Sequence, residues 1–501
     1  MKKIIALLLA VLSVFCLALT GCKIDNSDDE SAKVIEENDI PEGVTISTKG
    51  NEIYKGTKDG KTRLKISYAN TGYGSLWLQV LSAHFVDENP EYWILLDGDP
   101  GLTDSVSTKL DTGINLSDVY FLLASNSLNY SRSGWLEDLA EVYNSKPDGE
   151  NRKTVYEKMP EKWQYHSWEP YFGEYKQYVY PWTESITGIA YNKGMFDKYG
   201  WEIPKTVKEL VALCDKIKVD TKGEIAPFVY PGQVGGYFYI VYTWWLQSTG
   251  YDSIEEYFRF EDVEVFNPEK QPEKGKLEAL EAFVSLFGPD VDYSLEGSLS
   301  KNHTEAQLSF LRGEAAMIPN ASWMETEMKD DMPEGFQVRL MEAPYLDTAR
   351  KNADGTYERY SMACSPDYAI IPSGATQKAA AKKFLSFISR DDMLLLFTKY
   401  AGTLRPFEYD ITPVWSELTE FTKSCIEVRK GATYWLETSR ADMYTFGFTQ
   451  CFLNTANPFP SLINGPKAKG VTPEEFCLRE YSYALENWKT WEETIARSKT
   501  K

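Results

Sequence analysis

Histidine is scarce in this chain, and its few cysteines form no paired motif. Three histidines, far apart in sequence, occur among 501 residues, so we expect no metal site. None of the seven cysteines shows the CxxC spacing typical of zinc or redox sites. Basic charge is also in deficit. The formal net charge of −21 excludes a nucleic-acid-binding surface and favours a neutral polyol over an anionic ligand.

Catalytic signatures are missing as well. The sequence has no GxSxG elbow, no phosphate-binding P-loop and no HExxH zinc motif. We therefore expect no catalytic residue and no cofactor. A glycoside hydrolase remains an alternative, because the 74 acidic residues always supply carboxylate pairs of suitable spacing.

The longest apolar run, residues 4–19, follows Lys2 and Lys3 and is marginally short for a membrane span. It ends in Leu19-Thr20-Gly21-Cys22, which resembles a bacterial lipobox. The resemblance implies that residues 1–21 are a signal peptide and that Cys22 carries a lipid. The mature chain is then expected on the outer face of the cell membrane, held by lipid rather than by a spanning helix.

Residues 22–60 are rich in acidic side chains and poor in bulky apolar ones. Such a composition buries too little apolar surface to offset the entropy of ordering. The pattern predicts a flexible tether, in which only Val44–Ser47 has the composition of a strand.

The remaining sequence shows the alternation of an α/β protein. Strands are predicted at Arg63–Ala69, Tyr92–Leu96 and Val119–Leu123, with a helix between the first two. Thr206-Val207-Lys208-Glu209 is a capping box, and Thr472-Pro473-Glu474-Glu475 opens a second helix in the same way. Strand, helix and strand in succession predict doubly wound α/β lobes.

Four segments in order resemble the extracellular solute-binding protein family 1, the sugar-binding proteins of ABC importers. The second is the most specific, because it joins Gly188-Ile189-Ala190-Tyr191-Asn192-Lys193 to a following Phe-Asp-Lys-Tyr-Gly and Pro-Lys-Thr at the expected spacing. The segments are Ser117–Leu139, Tyr180–Thr206, Phe310–Trp323 and Tyr368–Phe387.

The resemblance implies a periplasmic-binding-protein-like fold: two doubly wound α/β lobes joined by a hinge, with a ligand cleft between them. We expect the chain to cross between lobes near Glu184–Thr187, near Asn320–Trp323 and near Lys399–Gly402. The predicted divisions are residues 61–183 and 321–400 for the first lobe, and residues 184–320 and 401–501 for the second.

Candidate ligand-binding residues lie in loops at strand ends and at the crossings. Aromatic rings cover the C–H faces of a pyranose, while carboxylates, amides and arginine bind its hydroxyls. The resemblance places Trp323 against the sugar. The full set is Tyr73, Gly74, Ser125, Asn126, Trp182, Glu184, Tyr237, Trp244, Trp323, Trp435, Arg440 and Asp442.

The resemblance also implies partners. These are a carbohydrate, expected to be an oligosaccharide, and the permease subunits of an ABC transporter. The protein itself is expected to be a monomer. A sensory protein that binds sugar and docks on a receptor kinase would share this fold and cleft, so the sequence leaves that alternative open.

Overall fold

The computed structural model describes residues 35–123, 130–131, 133–161, 163, 176–234, 237–259, 262–363, 367–436 and 459–498. The strands among these residues are β1 (Val44–Ile46), β2 (Glu52–Lys55), β3 (Thr62–Tyr68), β4 (Tyr92–Gly98), β5 (Val119–Phe121), β6 (Tyr180–Thr183), β7 (Thr187–Asn192), β8 (Ala226–Phe228), β9 (Ala315–Ala321), β10 (Val338–Met341), β11 (Tyr360–Ala363), β12 (Asp367–Ile370) and β13 (Thr433–Leu436).

Helices alternate with the strands along most of the described chain. They are α1 (Leu76–Glu88), α2 (Leu102–Thr112), α3 (Ala140–Asn144), α4 (Val155–Lys158), α5 (Lys193–Tyr199), α6 (Val207–Asp220), α7 (Ile240–Thr249), α8 (Tyr251–Arg259), α9 (Glu273–Phe287), α10 (His303–Leu311), α11 (Met324–Met328), α12 (Lys378–Phe387), α13 (Asp391–Ala401), α14 (Glu420–Arg429), α15 (Phe459–Asn464) and α16 (Pro473–Ser498).

The first large sheet has the strand order β1-β2-β4-β3-β5-β12-β6. Its centre, β4-β3-β5, is parallel, and both edges are antiparallel. Helices α1, α12 and α13 pack on it through fully buried side chains such as Phe85, Phe384 and Phe397. The predicted strands at Arg63–Ala69, Tyr92–Leu96 and Val119–Leu123 are thereby confirmed to within two residues at each end.

The second sheet has the order β10-β7-β9-β8, in which β7 is antiparallel to both of its neighbours. Strands β7 and β9 are buried along their whole length because helices cover them. The two largest core clusters are separate, one packed against each sheet, and each sheet also contributes residues to a smaller cluster. The predicted α/β fold with two lobes is confirmed.

The chain passes from the first sheet to the second and back again. It leaves the first sheet after Thr183 and enters the second at Thr187. The return lies after Met341, the end of β10 in the second sheet, and before Asp367, the start of β12 in the first. This corrects the predicted boundary at residue 321: after β9 the chain adds β10 to the same sheet before it crosses.

The prediction that residues 22–60 form a flexible tether is wrong for residues 35–60. Strands β1 and β2 belong to the first sheet, and Ile53 is fully buried there. Acidic side chains that suggested a tether are paired instead, since Lys399 Nζ lies 2.7 Å from Asp39 and 3.0 Å from Glu36. Burial acts to raise the pKa of Asp39. Hydrogen bonds from Lys399 and Tyr400 outweigh burial and hold that pKa below its usual value.

Local sequence signals were reliable. Both capping boxes are present: Thr206 Oγ1 accepts from the Glu209 N–H at 3.2 Å, and Thr472 Oγ1 accepts from the Glu475 N–H at 3.1 Å. In each case the glutamate returns a bond to the backbone N–H of its threonine. No helix among the described residues is long and apolar enough to cross a membrane.

Candidate ligand-binding site

Three chain segments meet where the two sheets join. The Glu184 N–H donates to the Leu404 carbonyl at 2.9 Å, and the Thr403 hydroxyl donates to the Glu184 carbonyl at 2.7 Å. The Ser322 N–H donates to the Ile186 carbonyl at 2.9 Å. These three hydrogen bonds, of which that from the Thr403 hydroxyl involves a side chain, tie together residues 184–186, 322 and 403–404. The site is built from the side chains around this junction.

Glu184 is almost completely buried at this junction, with 3% of its surface exposed. Its Oε1 forms an ion pair with Nε of Arg429, the last residue of α14. A buried carboxylate requires such a partner, because an unpaired charge is costly in a medium of low polarity. Glu184 was predicted to contact the ligand, but in this structure its Oε1 is occupied by Arg429 of the protein itself.

The loop after β3 is built for close approach. A hydrogen bond from the Gly74 N–H to the Thr71 carbonyl, 2.8 Å long, closes its turn. Gly72 has φ +24°, and a Cβ at that position would lie 3.2 Å from Cβ of Trp323. Tyr73 turns inward, its hydroxyl 2.8 Å from Ser185 Oγ. Glycine at position 72 adopts this positive φ without strain and, having no Cβ, lets the first-sheet loop rest against Trp323.

Trp323 directly precedes α11 and is partly exposed. Tyr237 and Tyr239 contact it edge to face, with ring centroids 6.0 and 6.1 Å away. Both tyrosines come from the segment before α7, on the second sheet's side. The indole therefore lies between a loop of the first sheet and an aromatic pair of the second, which is the position expected of a platform in a cleft.

Two of the predicted tryptophans are core residues in this structure. Trp182 is 3% exposed, donates from Nε1 to the Leu122 carbonyl at 3.0 Å and stacks on Trp77. Trp244 is 0% exposed and donates to the Pro344 carbonyl at 2.8 Å. This corrects the prediction that they contact a ligand, because neither ring has an open face.

Several predicted residues cannot be placed in the site. Trp435 lies on β13, where it is opposite Met362 of the parallel strand β11. The others lie outside the described residues: Cys22, Ser125, Asn126, Arg440 and Asp442.

The polar pair Gln307–Glu327, beside Trp323, was not predicted from the sequence. Gln307 on α10 donates from Nε2 to Glu327 Oε2 at 2.6 Å. Burial raises the pKa of Glu327, although that hydrogen bond and the nearby His303 act in the opposite direction. The spacing of four residues between Trp323 and Glu327 could have indicated this pair, because such residues lie on the same face of a helix. In the structure the Glu327 N–H donates to the Trp323 carbonyl at 3.1 Å.

Among the described residues, no three His, Cys, Asp or Glu side chains are grouped as metal ligands. The aromatic and hydrogen-bonding groups around Trp323 suit a neutral polyhydroxyl ligand instead.

Residues 97–393 match the profile of the family described as "Bacterial extracellular solute-binding protein". Among curated proteins, the chain is 29% identical over 188 residues to the multiple sugar-binding protein of Streptococcus mutans, covering 35% of this chain and 41% of that protein. It is 37% identical over 57 residues to the melibiose/raffinose/stachyose-binding protein of Bacillus subtilis, covering 11% of this chain and 13% of that protein. The matches thus span less than half of either relative.

Solved structures are similar over nearly their whole length. The GacH receptor of Streptomyces glaucescens, solved unliganded and with acarbose, has a TM-score of 0.61 at 15% identity and covers 85% of this chain and 98% of its own. Unliganded RafE of Streptococcus pneumoniae has a TM-score of 0.56 at 16% identity and covers 85% of this chain and 98% of its own. A substrate-binding protein of Listeria monocytogenes in complex with cycloalternan has a TM-score of 0.59 at 17% identity. The match covers 86% of this chain and 99% of that protein. At these identities the likeness establishes the fold.

Proposed function

The chain belongs to the bacterial extracellular solute-binding protein family, and on that premise we propose that it captures a neutral sugar, most simply an oligosaccharide, for an ABC importer. The observation that carries this proposal is the partly exposed indole of Trp323, set between the Gly72 loop and two tyrosines. An indole face covers the C–H surface of a pyranose, and the surrounding polar groups bind its hydroxyls.

The names of the relatives support a sugar rather than another solute. Both curated relatives are named as sugar-binding proteins; among the similar structures, GacH is described both unliganded and with acarbose, and the Listeria protein is in complex with cycloalternan. In this role the protein acts as a monomer, carries out no catalytic step, and hands its sugar to permease subunits at the membrane.

A thermal-shift panel of melibiose, raffinose, stachyose and maltotriose tests the sugar proposal. A ligand at 100 times its Kd that binds only the folded state adds about 2.7 kcal/mol of stability. We therefore expect at least one sugar to raise the melting temperature by several degrees, whereas an equal concentration of sorbitol does not. If every sugar behaves like sorbitol, the chain does not bind this class of ligand.

The membrane attachment is proposed from Leu19-Thr20-Gly21-Cys22. Residues 1–21 act as a signal peptide, and the Cys22 thiol carries the lipid that holds the protein outside the cell. Replacing Cys22 with alanine removes the acceptor atom, so the variant is expected in the aqueous phase of a detergent phase separation, with wild type in the detergent phase. Cys214→Ala, which changes a buried cysteine, serves as the control. A Cys22→Ala variant that still enters the detergent phase contradicts the anchor.

A further inference from the structure

Glu327 and Trp323 both lie against the first-sheet loop at Gly72. A Cβ placed on Gly72 would lie 3.2 Å from Trp323 Cβ and 3.7 Å from Glu327 Oε1. The carboxylate and the indole, one helical turn apart, therefore both approach the first-sheet loop at Gly72. Glu327 is thus placed beside the aromatic platform, on the side where the two sheets come together.

The two oxygens of Glu327 have different roles. Oε2 accepts the 2.6 Å hydrogen bond from Gln307, which is nearly buried on α10 and fixes the orientation of the carboxylate. Oε1 accepts no hydrogen bond from any described residue, and it is not among the fully enclosed side-chain atoms that lack a partner. It therefore keeps access to solvent, with its acceptor positions unused.

Trp323 offers a matching donor. Its Nε1 makes no hydrogen bond to any described residue and is also not enclosed. Next to it, the rings of Tyr237 and His303 lie nearly parallel at 6.4 Å. An open acceptor, an open donor and an aromatic face within one small region are the three features that a sugar ring requires.

We infer that Glu327 is a second ligand-contacting residue, which accepts hydrogen bonds from sugar hydroxyls through Oε1 while the sugar ring lies on Trp323. The inference rests on the proposed sugar-binding function and makes it more specific. A carboxylate in this position favours neutral sugars with adjacent hydroxyl groups. It disfavours uronic acids, whose own carboxylate would be brought close to a like charge.

Glu327→Gln is the informative substitution. Its amide oxygen can still accept the bond from Gln307, so the tie between α10 and α11 survives. The NH2 group then replaces the open oxygen, which turns an acceptor for sugar hydroxyls into a donor. With the panel sugar that binds wild type most tightly, we expect calorimetry to show a Kd about tenfold higher, the effect of losing a charge-assisted hydrogen bond.

Two further variants distinguish direct contact of Glu327 with the ligand from a purely structural role. Asp330→Asn removes the same charge from an exposed position three residues later, and we expect an unchanged Kd. Gln307→Ala removes the supporting bond but keeps the carboxylate, and should alter Kd by less than about threefold.

The outcomes distinguish this inference from the function on which it rests. If a panel sugar binds wild type and Glu327→Gln equally well, Glu327 does not contact the ligand, although the protein remains a sugar-binding protein. If Gln307→Ala weakens binding as much as Glu327→Gln does, the glutamate has only a structural role and the inference is wrong. If no sugar binds wild type, both the function and the inference are overturned.

Discussion

Replacing Trp323 with alanine should weaken binding of the sugar about thirtyfold, which corresponds to about 2 kcal/mol, the usual loss for an aromatic anchor that the ligand covers. The side chain is partly exposed between the Gly72 loop and the rings of Tyr237 and Tyr239. Its removal takes away the face that covers the C–H surface of a pyranose. Because the ring is only partly buried, folding stability should change less than affinity. Calorimetric titration and thermal melting of the same variant give both values.

Trp93→Ala is the matched control for this substitution. Trp93 is also a partly exposed tryptophan, but it lies on β4, with the Lys58 ammonium 5.0 Å from its ring centre. We expect a loss of stability without a loss of affinity. A Trp323→Ala variant that binds sugar as tightly as wild type would remove this residue from the site.

Lys276→Met should destabilise the protein by about 3–5 kcal/mol, the cost of breaking a buried ion pair by removing one partner. Lys276 on α9 is completely buried, 2.7 Å from Glu273 Oε1, and it also forms an ion pair with Glu480 on α16. The rings of Trp245 and Tyr257 lie within 5.5 Å of its ammonium. Methionine fits the space but leaves buried carboxyl groups without their cation. Urea denaturation at pH 7 measures the loss.

Glu273→Gln is the control within the same cluster. Burial raises the pKa of Glu273, which lowers the cost of a neutral group there, and Glu480 still pairs with the Lys276 ammonium when Glu273 becomes an amide. We expect a loss of no more than about 1 kcal/mol. If Lys276→Met proves as mild as Glu273→Gln, the cluster does not hold α16 to α9 in the way described.

Much of the fold could be predicted because its signals are local. Continuous apolar runs marked β3, β4 and β5, and reciprocal capping residues fixed the starts of α6 and α16. The tether prediction failed because its evidence was composition. Glu36 and Asp39 suggest disorder when read alone, but their partner Lys399 lies some 360 residues further along the chain. Contacts of that range leave no pattern in a single sequence.

The site was harder to predict, for a related reason. Aromatic residues at crossings were good candidates, yet burial alone separates Trp323 from Trp182 and Trp244, and burial depends on the whole packed structure. Glu327 illustrates the opposite error. Its spacing from Trp323 was visible in the sequence, but nothing local shows that Gln307 would occupy one carboxylate oxygen and leave the other open.

A crystal structure of the protein with the panel sugar that gives the largest rise in melting temperature would show directly whether Trp323 binds the ligand. We expect the sugar to lie across the indole of Trp323, between the Gly72 loop and the Tyr237–Tyr239 segment. A sugar bound away from Trp323, with that indole still in contact only with the protein, would contradict it.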